Sequence, residues 1–334
     1  MSVTIYDVAS LAHVSVTTIS KILNHKDFDI SAETRQRVLG VIKELNFVPS
    51  GLARSLVTKK TNTIALLLPS ITNQYFAEIA RGVENGASAL GYNVFLCNTD
   101  ESHAKEIEYL NVLKERLPDG VIMVPVKESD TNITEEYELS VPYILLDRTY
   151  DDMNDDIYCV RFDNVKGGYI ATKHLLENGH KRIGIICGPP QNKPSNDRLM
   201  GYKQALKEAG VDFDPRLVFH GDYDYDSGAK GGEYLIDKKV TAVFCTNDMM
   251  ACGLYQKIRN MGLRAYDDIS VVGYDNIFMS EMLEPPLTTI LQPKLQMGSV
   301  ATQNLIRMIN KEPVENDVVF KPELIIRNSV KCIK

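Results

Sequence analysis

The sequence has no apolar run approaching the ~20 residues that span a bilayer; stretches such as 64–69 and 183–187 are far shorter. A membrane-spanning helix is thereby excluded. The first residues, Met1 to Asp7, show no basic stretch followed by an apolar segment and a small-residue cleavage site, so no secretory signal is expected and the chain is placed in the cytoplasm. The motifs GxGxxG, GxxxxGK followed by Ser or Thr, HExxH and GxSxG are all missing. With them go the commonest signatures of dinucleotide, nucleotide, zinc-protease and serine-hydrolase chemistry. The six cysteines (97, 159, 187, 245, 252 and 332) are scattered and several close apolar runs, as buried free thiols do, rather than forming a disulfide framework or a CxxC site. The six histidines, at 13, 25, 103, 174, 180 and 220, lack metal-ligand spacing. No metal or cofactor is expected, and no catalytic residue is assigned.

What is present is an ordinary globular composition, 44% apolar and 24% charged over 334 residues. That length suits a small domain joined to a two-lobed body. Charge divides the chain the same way. Residues 1–60 hold eight Lys/Arg against five acids, net +3, so the overall −7 leaves −10 on the remainder. A basic head can approach a polyanion that an acidic body repels.

Within that head, Ile5, Val8, Ala9 and Ala12 recur with helical spacing, and Ile19, Ile22 and Leu23 repeat the pattern after a break at 13–15. Ser15 can cap the second helix, and a third starts at Ser31 with Val38, Val41, Ile42 and Leu45 on its apolar face. Two short helices joined by a tight turn and closed by a third make a helix-turn-helix. Val16, Thr17, Ser20 and Lys21 are left facing outward, suited to reading base edges in the major groove. The same spacing also describes a three-helix cap whose polar face is simply wet.

The run from Thr4 to Ala9, the run from Ala12 to Asn24, and Leu45-Asn46-Phe47-Val48-Pro49 with Ala53-Arg54-Ser55-Leu56 resemble the head of the lactose/galactose-repressor (LacI/GalR) family. The resemblance implies that Val16, Thr17 and Lys21 read bases, with Ser15, Ser20 and Asn24 on the same DNA-binding face. It also implies that Leu56, with Ala53 beside it, wedges into the minor groove and bends the duplex. Two positions depart from the family pattern: His13 stands where a glycine is usual in the turn, and Gly51 lies inside the hinge. The segment 50–57 is expected to become helical only on operator DNA, being too short to hold a helix alone.

From residue 61 onward, apolar strand-like runs alternate with amphipathic helical stretches, the signature of parallel sheets covered on both faces. One series runs from Ile64 to Leu146 and a second is expected to open with 158–162. The fold class is therefore α/β: a three-helix head on two doubly wound lobes, like a periplasmic binding protein. The expected domains are a head at 1–48, a hinge at 49–60, a first lobe at 61–160 with 291–320, and a second at 161–290 with 321–334.

In such sheets ligands bind beyond the carboxyl ends of the strands, where polar residues gather: Asp147, Asn247 and Asp275 directly after strands, Arg198 opening a helix after the 189–196 loop, and Asn73, Tyr75 and Phe76 opening the first helix. Carboxylates, amides and an arginine can bond vicinal hydroxyls while flat aromatics cover an apolar face. Any single Asp or Asn here is more commonly a helix cap or turn residue. The resemblance, which covers nearly the whole chain, implies effector-binding roles for Asp147, Arg198, Asn247 and Asp275, and stacking roles for Tyr75, Phe76 and Tyr223.

Two other classes compete. A sugar-processing enzyme could use Asp147 and Asp275 as an acid–base pair, but the motif search offers no further part of one. A secreted sugar receptor would share the two-lobed body yet carry a signal and no basic head. Within the family, Leu295-Gln296 and Gln303 stand where the branch governed by a carrier protein has Tyr-Asp and Arg, which implies a small effector: a sugar, sugar acid or nucleobase. The chain ends at Lys334 without a leucine heptad, from which a homodimer on a pseudo-palindromic operator is expected. The reading is a repressor of transcription whose effector sits between the lobes and controls its hold on double-stranded DNA.

Overall fold

The three apolar sets of the head fold as three helices, α1 (Ile5–Ala12), α2 (Val16–Leu23) and α3 (Ala32–Glu44). The structure, a computed structural model, describes residues 3–23, 27–48, 60–116, 118–126, 139–149 and 157–333. Thr4 and Asp7 close a reciprocal capping box at the start of α1: Thr4 Oγ1 accepts from the Asp7 amide, and Asp7 Oδ2 from the Thr4 amide at 2.7 Å. Ser15 Oγ accepts from the Thr18 amide at 3.1 Å, capping α2 as expected. His13 ends α1 in the left-handed region, φ 51° and ψ 47°, a conformation that a β-carbon makes harder to adopt than glycine does. Val8, Ala12, Ile19, Ile22 and Val38 form the buried centre.

The chain divides into two compact units, Met1–Thr61 and Asn62–Lys334. In the second, β1 (Thr63–Leu68), α4 (Gln74–Ala89), β2 (Asn93–Asn98), α5 (His103–Arg116), β3 (Gly120–Met123), β4 (Tyr143–Asp147) and β5 (Cys159–Phe162) follow in order. Then come α6 (Asn164–Glu177), β6 (Ile183–Cys187), α7 (Lys193–Glu208), β7 (Val218–His220), α8 (Tyr225–Asp237), β8 (Ala242–Cys245), α9 (Asp248–Asn260), β9 (Ser270–Asp275) and β10 (Thr288–Leu291). A short helix, α10 (Met279–Met282), lies between the last two, and α11 (Lys294–Ile309), β11 (Asp317–Phe320) and β12 (Glu323–Ile325) complete the chain.

Two six-stranded sheets result, ordered β11-β5-β4-β3-β1-β2 and β12-β10-β9-β8-β6-β7. Among the described residues all pairings within the two sheets are parallel except β10 with β12. Strands β1, β3, β6, β8 and β9 are buried nearly end to end, as parallel strands between helical layers must be.

The boundaries differ from the expected ones in two places. Strand β5 does not open the second series: Cys159 pairs with Leu145 of β4 and Asp317 of β11, so β5 belongs to the first sheet. The first lobe thus runs past 160 to Phe162, and the second keeps Leu291, the end of β10. Alternation of strand and helix orders elements along a chain but carries no label for the sheet each joins. The chain passes between the lobes after β5, after β10 and between β11 and β12. Helix α7 starts at Lys193 rather than at Arg198, capped by Asn192, with Pro194 in its first turn. Proline there forfeits no helical hydrogen bond, although in sequence it looks like a breaker.

Candidate ligand cleft and nucleic-acid interface

The carboxyl ends of the strands of both lobes face a common cavity enclosing about 350 Å³, open solvent at its mouth included. Asn73, Tyr75, Phe76, Asp147, Arg198, Tyr223, Asn247 and Asp275 all line it, so the residues singled out from the sequence come together in one place. Glu101, Arg148, Asn192 and Pro194 complete the lining. Glu101 follows β2 and Asn192 follows β6, positions that the same search for polar residues past strand ends would have found. Gln292 was missed because it sits on the crossing after β10, where no periodicity marks which way a side chain goes.

Tyr75, in the first turn of α4, donates to Asp147 Oδ1 at the end of β4, and its hydroxyl also lies 3.2 Å from Gln292 Oε1. Gln292 Nε2 donates in turn to Asp275 Oδ1 at 2.8 Å. Arg198 is held from the other side: Nε donates to Asn164 Oδ1 at 2.8 Å, Nη1 to the Thr246 carbonyl at 2.6 Å, and the guanidinium lies 3.9 Å from the centre of the Tyr274 ring. Arg148 forks onto both Glu101 oxygens at 2.8 Å and covers Phe76. That bidentate pair commits its charge within the protein.

Asn73 and Asn247 turn out to cap helices as well as to line the cavity. Asn73 Oδ1 accepts from the Tyr75 amide and Asn247 Oδ1 from the Met250 amide, while Asn247 Nδ2 donates to the Tyr223 carbonyl. Glu101, Asp147, Tyr223 and Asp275 have φ of 53°, 68°, 61° and 109°. Non-glycine residues in that region carry about 1–3 kcal/mol of strain each and gather where function fixes a side chain.

Burial sets the electrostatics. It pushes the Asp147 carboxyl above the usual carboxylate range, and the Asp275 carboxyl up to about 8 despite the nearby Arg198 guanidinium. It also raises the Tyr75 phenol well above its ordinary value and takes Tyr223 to about 12. The cleft is therefore rich in hydrogen-bond partners, with burial favouring the neutral form of its carboxyls and phenols beside the Arg198 guanidinium.

In the head, Ser15, Thr17 and Ser20 are exposed. Val16 is only partly so, because it packs against the helical core rather than facing fully outward. Lys21 pairs with Asp29, and Arg35 with Asp27 at 2.7 Å. Asn24, Ala53 and Leu56, and with them the expected hinge helix and minor-groove wedge, lie outside the described residues; Lys60 is exposed. Among the described residues there is no helix long and apolar enough to cross a membrane and no cluster of metal-ligating side chains.

Residues 61–330 match the family described as periplasmic binding proteins and sugar binding domain of the LacI family, and residues 4–50 match the bacterial regulatory proteins of the lacI family. The chain is 40% identical to the ribose operon repressor of Halalkalibacterium halodurans, covering 98% of this chain and 97% of that one. Among solved structures it resembles a transcriptional regulator CelR–cellobiose complex, with 33% identity, TM-score 0.74 and 98% and 99% of the two chains covered. It also resembles the lac repressor dimer bound to operator and the anti-inducer ONPF, with 27% identity, TM-score 0.88 and 99% and 100% covered. With a helix-turn-helix head and a two-lobed core whose strand ends meet at one polar cavity, the chain belongs to the LacI family of bacterial regulatory proteins and is a DNA-binding regulator of transcription controlled by a small effector.

Proposed function

We propose that the protein is a cytoplasmic repressor, binding a pseudo-palindromic operator as a homodimer, whose effector is a sugar or sugar acid held between the lobes. The observation that carries this reading is the composition of the cavity. Asp147 and Asp275 can accept hydrogen bonds from vicinal hydroxyls, Arg198 can donate to ring or carboxyl oxygens, and Tyr75, Phe76 and Tyr223 offer flat faces to a sugar's apolar side. Cellobiose in one similar structure and ribose in the name of one similar repressor support that class. The operator-bound lac repressor dimer supports a paired head on double-stranded DNA.

Thr17, Ser20 and Lys21 on α2 are assigned to the major groove, with Ser15, Val16 and Asn24 beside them and Ala53 and Leu56 at the minor groove. No catalytic step is assigned. The carboxyls a glycosidase would need as acid and base are tied to Tyr75 and Gln292. A thermal-shift screen of sugars, sugar acids and nucleobases tests the cleft, run in parallel on Arg198→Ala. A compound that raises the unfolding temperature of the parent alone identifies the effector. A hit that stabilises both proteins equally would place its site elsewhere.

A further inference from the structure

Asp147, Tyr75, Gln292 and Asp275 form a continuous chain from the first lobe, through the crossing after β10, to the second. Its three contacts each need one hydrogen: Asp147 to Tyr75, Tyr75 to Gln292, and Gln292 to Asp275. The phenol supplies one and the amide, which meets Tyr75 through one terminal atom and Asp275 through the other, supplies one. One is missing whenever both carboxyls are ionised. Turning the amide over does not help. In the orientation described, a proton on Asp147 lets that carboxyl donate to Tyr75 and frees the phenol for Gln292. In the reversed orientation the amide donates to Tyr75 and the proton is needed on Asp275.

We propose that the cleft holds one proton shared along Asp147, Tyr75, Gln292 and Asp275, tying the two lobes together, and that an effector whose hydroxyls donate to the two carboxyls displaces it. Effector affinity then rises with pH up to the point where the empty cleft loses the proton, and is flat beyond. The displacement rests on the effector reading above; the shared proton does not.

The surroundings are consistent with a retained proton. Asp275 faces Arg198 of α7 and Asp248 of α9, while the Lys294 ammonium of α11 is engaged by the carbonyls of Asp275 and Asn276 and pairs with Glu78 of α4. Asp147 faces Arg198 and Arg148, the latter committed to Glu101. Burial outweighs these cations, raising both carboxyls, and the Asp248 carboxyl to about 6.

Infrared titration of the full-length, effector-free protein reads the proton directly as a protonated-carboxyl band that survives above pH 7. Asp248, ionising lower, does not contribute there. The parent is expected to show one such carboxyl, lost near pH 8. Tyr75→Phe removes the link that demands the extra hydrogen, so the midpoint should fall by a pH unit or more, and Gln292→Leu should do the same. Asp147→Asn and Asp275→Asn each bring an amide donor into the chain, so either one alone should abolish the band. Burial acting on one independent carboxyl makes the opposite forecast: Tyr75→Phe leaves or raises the midpoint, and only one of the two Asn variants removes the band. That pattern, or no protonated carboxyl above pH 7 in the parent, overturns the proposal.

Discussion

Arg198 is 4% exposed and its donors hold the Asn164 side chain and the Thr246 carbonyl. Arg198→Ala leaves the buried Thr246 carbonyl without this donor and the Asn164 oxygen with only the Tyr274 hydroxyl at 3.2 Å, and urea unfolding should register a loss of about 1–3 kcal/mol. Lysine supplies a charge without the planar fork of donors, so Arg198→Lys should recover only part; an unchanged unfolding midpoint in Arg198→Ala would contradict the assignment. Asp275 gives a pH dependence whose sign is fixed. Burial pushes its carboxyl up to about 8 from an ordinary value of 3.8, so across that window the folded state, holding the proton that Asp275 shares with Asp147, binds more protons and stability falls as pH rises. Thermal unfolding from about pH 5 to about pH 8 should show a decline that is shallower in Asp275→Asn, where only the smaller share from the raised Asp248 carboxyl persists near the acid end, and parallel profiles for the two proteins would refute it. Both residues were legible in the sequence because a parallel sheet delivers whatever follows its strands to one edge. Gln292 was not, since only the meeting of the lobes determines what a crossing residue touches.

Between elements, backbone approach matters more than side-chain character. Helices α4 and α11 come from distant parts of the sequence, yet a β-carbon at Gly82 would stand 2.3 Å from the Leu295 carbonyl oxygen, and one at Gly298 2.4 Å from that of Ile79. These two glycines let the segment after the second crossing seat itself on the first lobe. Gly82→Ala should force the helices apart and cost about 1–3 kcal/mol, as overpacking does. Thermal unfolding of the full chain checks this, and an unaltered transition would show that the helices have room to separate. In the sequence the helix opening at Asn73 was visible, whereas the one over 294–309 was not singled out and nothing showed that the two meet, because contact between segments so far apart is a tertiary fact. The position of β5 was hidden for the same reason, and the start of α7 was obscured by a proline that a first turn accommodates.

At the scale of the molecule, the division of charge into a head of +3 and a remainder of −10 directs DNA to one end. Operator affinity should fall steeply with salt, by a log–log slope of about −0.9 for each phosphate neutralised. A slope near zero would remove the head from the reading. An effector between the lobes alters that affinity only by binding two states of the protein unequally. The most direct measurement is therefore the affinity of full-length protein for a duplex selected from a random library, with and without the sugar that stabilises the parent but not Arg198→Ala. A shift of roughly 5–150-fold is expected. A sugar that fills the cleft while DNA affinity stays the same, or failure to select any duplex under either condition, would contradict the account.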